Sequence, residues 1–413
     1  MNTKGFASDE VVCLEGVQAG ALVDGAGNAY PVQQTEDGAV VHLTALPAKG
    51  WKTYTVAAEP SAVEIPFTLT DDRHLTTPFY EVSLDDNGLI SRLYDRASRR
   101  EVLSNPGNLL RMYEDKPIYY DNWDIDIFHT EKFWDVTDVQ SMRWTEMGPV
   151  RATLEIERKV SNSLIRQRIR FYADSRRIDF ETWVDWKEHQ HLLKVHFPTT
   201  IHSDEATFEI QFGNLKRKVH TNTSWDVARF ESCAQKWMDF SEGHYGVSLL
   251  NDCKYGHSVK DGCIALTLIK SGIEPNPVAD QEEHVFTYAL YPHAEDWRAA
   301  GTVREAYRLN QPALAVMGGT AGDAYSLASV DAANVVLETV KQAEDGDGWI
   351  VRLYETDNAL TETCLHWSRP IASVEACNCI EEPGEAVATC CEGCVPFTIR
   401  PYEIKTFRIR EKE

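Results

Sequence analysis

Apolar and polar positions along this chain alternate with a period of two far more often than they recur every three or four residues. Residues 151–160, 164–172 and 178–186 each alternate, with Leu154 and Ile156, then Ile165, Gln167, Ile169 and Phe171, marking the period. Further strands are predicted at 192–197, 207–212, 246–250, 264–269 and 285–291. Tyr80, Val82 and Leu84 lead through Asp85-Asp86-Asn87-Gly88 into a returning strand at 89–94, and Asn-Gly supplies the positive φ of a tight hairpin turn. One helix stands out, at 294–309, where Trp297, Ala300, Val303, Ala306 and Tyr307 recur at spacings of three and four before Pro312.

Many strands with few helical patterns predict an all-β protein built around a large sandwich. Residues 1–60, with strands at 11–14, 21–23, 39–43 and 54–57, read as a small β-sandwich. A charged, Pro-bearing connector at 59–66 leads to the large sandwich at 66–312. The Gly-rich run 313–323 precedes a C-terminal β-sandwich module at 324–413, with strands at 335–340 and 349–354 and β structure over 397–409.

At 413 residues the chain is long enough for two or three domains. Its 41 basic and 64 acidic residues give a formal charge of −23. A surface this negative repels phosphate, which argues against nucleic acid and anionic membrane as partners. No apolar run approaches the eighteen or so residues that span a bilayer, and the amino terminus has no apolar signal region. The ten cysteines are too sparse for a disulfide scaffold, and a reducing cytoplasm is the expected compartment.

The stretch 112–129 concentrates candidate chemistry: Tyr113, Tyr119, Tyr120, Trp123 and Phe128 among Asp115, Asp121, Asp124 and Asp126. From Asp121 it alternates, so a strand would turn Asp124, Asp126 and Phe128 to one face and Trp123, Ile125 and Ile127 to the other. Carboxylates that accept from paired hydroxyls, beside rings that cover a C–H face, suit a sugar. A half-buried strand with a merely solvated outer face, its aspartates capping turns, fits the same pattern. A second polar group, Asn251, Asp252, Lys254 and Tyr255, follows the apolar strand 247–250 and reads either as a sugar-binding rim or as an ordinary Asn-Asp turn.

His189 and His191 would share a strand face. Asp124 and Asp126 would lie about 6.7 Å apart between Cα atoms, and paired catalytic carboxylates normally come from different elements. Cys377-x-Cys379, ten residues, then Cys390-Cys391-x-x-Cys394 contains one zinc-like knuckle, but zinc ligands usually come as two, so no metal is assigned.

Taken together, Phe79-Tyr80-Glu81-Val82, Glu114-Asp115-Lys116-Pro117 with Trp123-Asp124-Ile125-Asp126, Asn222-Thr223-Ser224-Trp225-Asp226 and Ser241–Asp252 with Lys254-Tyr255-Gly256 resemble, in order, the carboxyl-terminal β region of glycoside hydrolase family 38 α-mannosidases of the bacterial and cytosolic branch. Ser329-Val330-Asp331 and Asn334–Glu338 extend the resemblance. It implies a galactose-mutarotase-like β-supersandwich flanked by smaller β-sandwich modules. It also implies that zinc, nucleophile and acid/base belong to a preceding barrel domain, so that no catalytic residue and no metal are expected in this chain. That barrel and mannosides are the expected partners, self-association is left open, and a truncated or split polypeptide is expected. Tyr120, Asp121, Trp123, Asp124, Asp126, Asn251, Asp252, Lys254 and Tyr255 would then close the mannose pocket. Lys270-Ser271-Gly272 departs from the Arg-Ser-Pro the resemblance leads one to expect. The alternatives are a stand-alone aldose epimerase, needing a His acid and a Glu base, and a plain carbohydrate-binding module.

Overall fold

The computed structural model describes every residue except 37, 59–63, 320–322, 390–392 and 413, so parts of the predicted connector and of the Gly-rich boundary lie outside it. The chain divides into two compact units, one of residues 64–210 and 215–310, the other of residues 1–63, 211–214 and 311–413.

The larger unit is an antiparallel β-sandwich. A nine-stranded sheet runs in the order Asp138–Met147, Arg151–Val160, Ser163–Tyr172, Ile178–Asp185, Glu283–Ala294, Tyr245–Asn251, Trp237–Glu242, Glu205–Ile210 and Gly213–Lys218. A six-stranded sheet runs Phe133–Asp135, Leu109–Glu114, His191–Pro198, Cys263–Ser271, Gly256–Lys260 and Ser232–Cys233. Apolar alternation drives the two together: Leu154, Ile165, Ile169, Phe180 and Leu249 from the first sheet share one core with Leu110, Met112, Val195, Phe197 and Leu266 from the second. Phe180 stacks on Tyr288 at 5.0 Å and meets Phe197 at 5.4 Å, across the two sheets. The predicted hairpin joins Tyr80–Leu84 to Ile90–Asp95, with Gly88 at φ +69° and Asp85 Oδ1 accepting from the Asn87 and Leu89 amides.

The second unit holds both small modules. The first is a five-stranded sheet in the order Ser8–Glu15, Gly38–Leu46, Ala29–Thr35, Ala21–Asp24 and Tyr54–Ala57. In the second, strands Val335–Gln342, Trp349–Glu355, Ile404–Glu411 and Ile371–Cys377 share a core with Ala328–Val330, Thr361–Trp367 and Cys394–Ile399. Gly50–Lys52 pairs with Ala324–Ser326, joining the first segment of the chain to the last within this unit.

Two elements depart from the sequence pattern. The helix occupies only Thr302–Asn310, because Asp296 caps the Arg298 and Ala299 amides in a turn and Gly301 takes φ +70° just before the helix starts. Trp297 is therefore outside the helix, and packs on Trp237 at 4.9 Å. Ala29–Thr35 forms a strand that the apolar pattern did not predict, with Pro31 opposite Ala21. Among the described residues no helix is long and apolar enough to cross a membrane.

A buried polar ring crosses the larger sandwich. Asn108 Nδ2 donates to Gln167 Oε1 at 2.6 Å, Gln167 Nε2 donates to the Tyr288 hydroxyl at 2.7 Å, and that hydroxyl donates back to Asn108 Oδ1 at 2.7 Å. All three residues are fully buried, so no water can replace a lost partner. Gln167→Leu should therefore cost about 2–4 kcal/mol through the orphaned Asn108 and Tyr288 groups. Urea unfolding of this unit checks it: an unchanged midpoint would mean the ring contributes nothing.

Candidate functional site

The stretch 115–126 is not a strand. It is a loop that enters a short 3-10 helix at Ile127–Glu131, and the predicted two-faced alternation is absent. The reason lies in two of its aspartates, Asp121 and Asp126, which bind backbone. Asp121 is buried: Oδ1 accepts from the Glu274 amide at 2.7 Å, and Oδ2 from the Ile273 amide at 2.9 Å and from Gln190 Nε2 at 3.3 Å. Burial opposes ionisation of this carboxyl, but the two backbone amides outweigh it and hold its pKa below the ordinary value. Asp126 Oδ2 accepts from the Ile118 amide at 2.9 Å. Asp115 is buried against Lys270, and desolvation raises its pKa despite that cation. Lys270 thus supplies a point charge to one carboxylate where a guanidinium would have offered a fork.

These ties hold the loop's rings outward. Trp123 is 70% exposed and Tyr119 72%, with Ile118 and Tyr120 nearly as open. Tyr120 takes φ +53°, its carbonyl accepts from the Trp123 and Asp124 amides, and its ring lies 6.0 Å from that of Trp123. Asp124 is exposed beside them. Gly272 permits the close approach of this loop, since a Cβ there would collide with Asn122 Oδ1.

The second predicted group is a turn with mostly structural contacts. Asn251 is fully buried, its Oδ1 accepting from the Lys254 amide at 2.8 Å and its Nδ2 donating to the Gln235 carbonyl at 3.0 Å. Asp252 Oδ2 accepts from the Thr287 amide at 2.9 Å, and Lys254 lies over the Phe286 ring. Tyr255 is 48% exposed. No hydrogen bond, ion pair or ring contact joins this turn to the 118–126 loop among the described residues. His189 and His191 do not share a face either: His189 lies before the strand, bonded to Gln281 Nε2, while His191 Nδ1 turns to the His189 carbonyl.

Beside the loop, the outer face of the six-stranded sheet holds a cavity of about 680 Å³. Leu193, Val195 and Phe197 point to the core, so Lys194 and His196 point the other way, where they meet Tyr113, His129, Glu231 and His257. Lys194 Nζ lies 2.6 Å from Glu231 Oε1, and Thr267 Oγ1 donates to the same carboxylate oxygen. Tyr113 and His196 Nε2 are 3.0 Å apart. Burial, then the nearby Lys194 and Arg111 charges, push His196 down to about 3. Burial likewise pushes His257 down to about 4, and its Nε2 has no partner. The imidazoles are therefore neutral at pH 7, and they line the cavity beside rings and the Lys194–Glu231 ion pair. The alternation in 192–197 carried the signal for Lys194 and His196, but nothing local placed Glu231 and His257 opposite them.

Both folded-state histidine values lie below the ordinary value of about 6.5, so the unfolded chain binds protons first on acidification. Their contribution to stability is complete above about pH 6.5 and is lost as pH falls through about 4 for His257 and about 3 for His196. A His196→Gln, His257→Gln double variant should flatten that slope in denaturant titrations across the range; an unchanged slope would contradict the assignment.

Residues 75–278 match the glycosyl hydrolases family 38 C-terminal domain, and residues 334–407 the family 38 C-terminal beta sandwich domain. Alpha-mannosidase 2C1 of Homo sapiens is 37% identical over 333 residues, covering 78% of this chain and 32% of its own length. Alpha-mannosidase G of Dictyostelium discoideum is 34% identical over 347 residues, covering 80% of this chain and 32% of its own length. The chain thus spans about a third of the length of these curated relatives. The crystal structure of an alpha-mannosidase from Enterococcus faecalis V583 superimposes with a TM-score of 0.77 over 98% of this chain and 55% of that one, at 17% identity, which establishes a shared fold.

Proposed function

The chain belongs to glycosyl hydrolase family 38 through its C-terminal domains, and from that premise we propose that it is the β region of an α-mannosidase whose catalytic barrel lies in a preceding domain. In this reading the whole enzyme removes terminal α-linked mannose with retention, and this region shapes the mannose pocket. The observation that carries it is the anchored loop: Ile118, Tyr119, Tyr120 and Trp123 stand exposed on a segment fixed by Asp121. Rings held outward by hydrogen bonds to a buried carboxylate favour a facing surface or a sugar.

Retention requires a nucleophile and a separate acid/base about 5–5.5 Å apart. Of the loop's carboxylates, Asp115, Asp121 and Asp126 do not fit those roles, because they are bonded to a lysine or to backbone amides, which leaves Asp124 without a second free carboxylate from the loop. Nor do they fit the catalytic zinc, which the reading assigns to the barrel. The epimerase alternative would use the cavity on the six-stranded sheet, yet Glu231 is bound by Lys194 and Thr267 and is poorly placed as a free base. We propose a cytoplasmic location from the exposed free thiols of Cys13, Cys233, Cys253 and Cys379, a reading in which the bonded Cys364–Cys394 pair would be reduced.

An aryl α-mannoside incubated with this chain and zinc should show no turnover above buffer. Sustained release of the aryl alcohol would place catalytic groups in this chain and overturn the reading.

A further inference from the structure

Cys364 and Cys394 lie on adjacent antiparallel strands, Thr361–Trp367 and Cys394–Ile399, with His366 directly opposite Cys394. Cys364 and His366, two residues apart, project from the same side of their strand. The two sulfurs are bonded to each other, and one ligand atom from each of Cys364, His366 and Cys394 lies within 4.8 Å of the others. His366 is oriented by a carboxylate, its Nε2 lying 2.8 Å from Asp331 Oδ1, which leaves Nδ1 for another partner. An imidazole held in this way is the arrangement that surrounds metal-bound histidine, where a carboxylate fixes the tautomer and raises ligand basicity.

We propose that, with the Cys364–Cys394 pair reduced, Cys364, His366 and Cys394 hold a zinc ion. Two thiolates and one imidazole form a borderline-soft donor set that suits zinc over calcium or magnesium. Six other cysteines among the described residues are unpaired and four of them are exposed, as in a chain kept under reducing conditions, where this pair would also be thiols. Gly393 sets the turn before Cys394 at φ +76°, and a Cβ there would collide with the Trp367 carbonyl, so the sulfur is delivered by a backbone shape only glycine takes easily. The chemistry balances simply. A thiol reductant gives two electrons and two protons to the disulfide and is itself oxidised to a disulfide. Zinc then displaces the two thiol protons to solvent, with no further electron transfer. Cys391, in C-x-x-C spacing with Cys394, lies outside the described residues, and the proposal does not use it. The ion would clip the edge strand Cys394–Ile399 to the central strand Thr361–Trp367 of its three-stranded sheet, and it is independent of the zinc assigned to the barrel.

The test is metal content of the 413-residue chain, reduced, equilibrated with zinc and desalted. About one zinc per chain is expected, with a thiolate-to-cobalt charge-transfer band when cobalt replaces it. His366→Ala and Cys364→Ser should abolish both, Asp331→Asn should weaken binding about tenfold, and Cys377→Ser should change nothing. Because His366 is exposed, its metal-free variant should unfold at the parent's denaturant midpoint, which isolates the ligand. A reduced chain that retains no more zinc than His366→Ala, or that retains it equally with the disulfide closed, would overturn the proposal.

Discussion

The carboxylate of Asp121 takes the amide protons of Ile273 and Glu274, and the exposed aromatic loop depends on that pair of bonds. Those amides follow the strand Cys263–Ser271 in the segment before Pro275, where no ladder partner is available to them. The sheet leaves these two amides unpaired, so a side chain from the 118–126 loop does what a strand would otherwise do. The loop is thereby fixed to the sandwich, and Tyr119, Tyr120 and Trp123 have no apolar interior left to enter. An exposed cluster of rings on a fixed support is costly for an isolated protein and useful to one that meets another surface.

The sheet beneath the loop shows the same division of labour. Its inner face is apolar and continuous with the core, while its outer face carries Arg111, Tyr113, Lys194 and His196. Two of its charges are paired within the chain, Lys194 with Glu231 and Arg111 with Asp135, and they stand beside rings and neutral imidazoles.

Fold class could be read from the chain because an antiparallel sheet with one buried face writes period-two alternation directly into the sequence. The strands at 151–160, 163–172 and 178–185 were legible for that reason, and the Asp85–Gly88 turn because its residues determine its geometry. The stretch from Asp121 to Phe128 misled by the same rule: it alternates, yet its aspartates have local and distant amides to bind, and these bonds win over strand pairing. Asn251 and Asp252 look like a polar rim in sequence because burial and long-range partners such as Thr287 and Gln235 are invisible there. The cavity histidines were each visible, but their convergence on Glu231 depends on strand order, which local pattern does not encode.

The most direct measurement pairs this chain with the barrel-bearing half of a family 38 α-mannosidase, supplied as a separate polypeptide, and follows hydrolysis of an aryl α-mannoside. The account predicts activity that rises with added chain and falls at least about tenfold, roughly 1.4 kcal/mol, when Trp123→Ala replaces it. Equal activity with Trp123→Ala, or full activity of the barrel half alone, would contradict it.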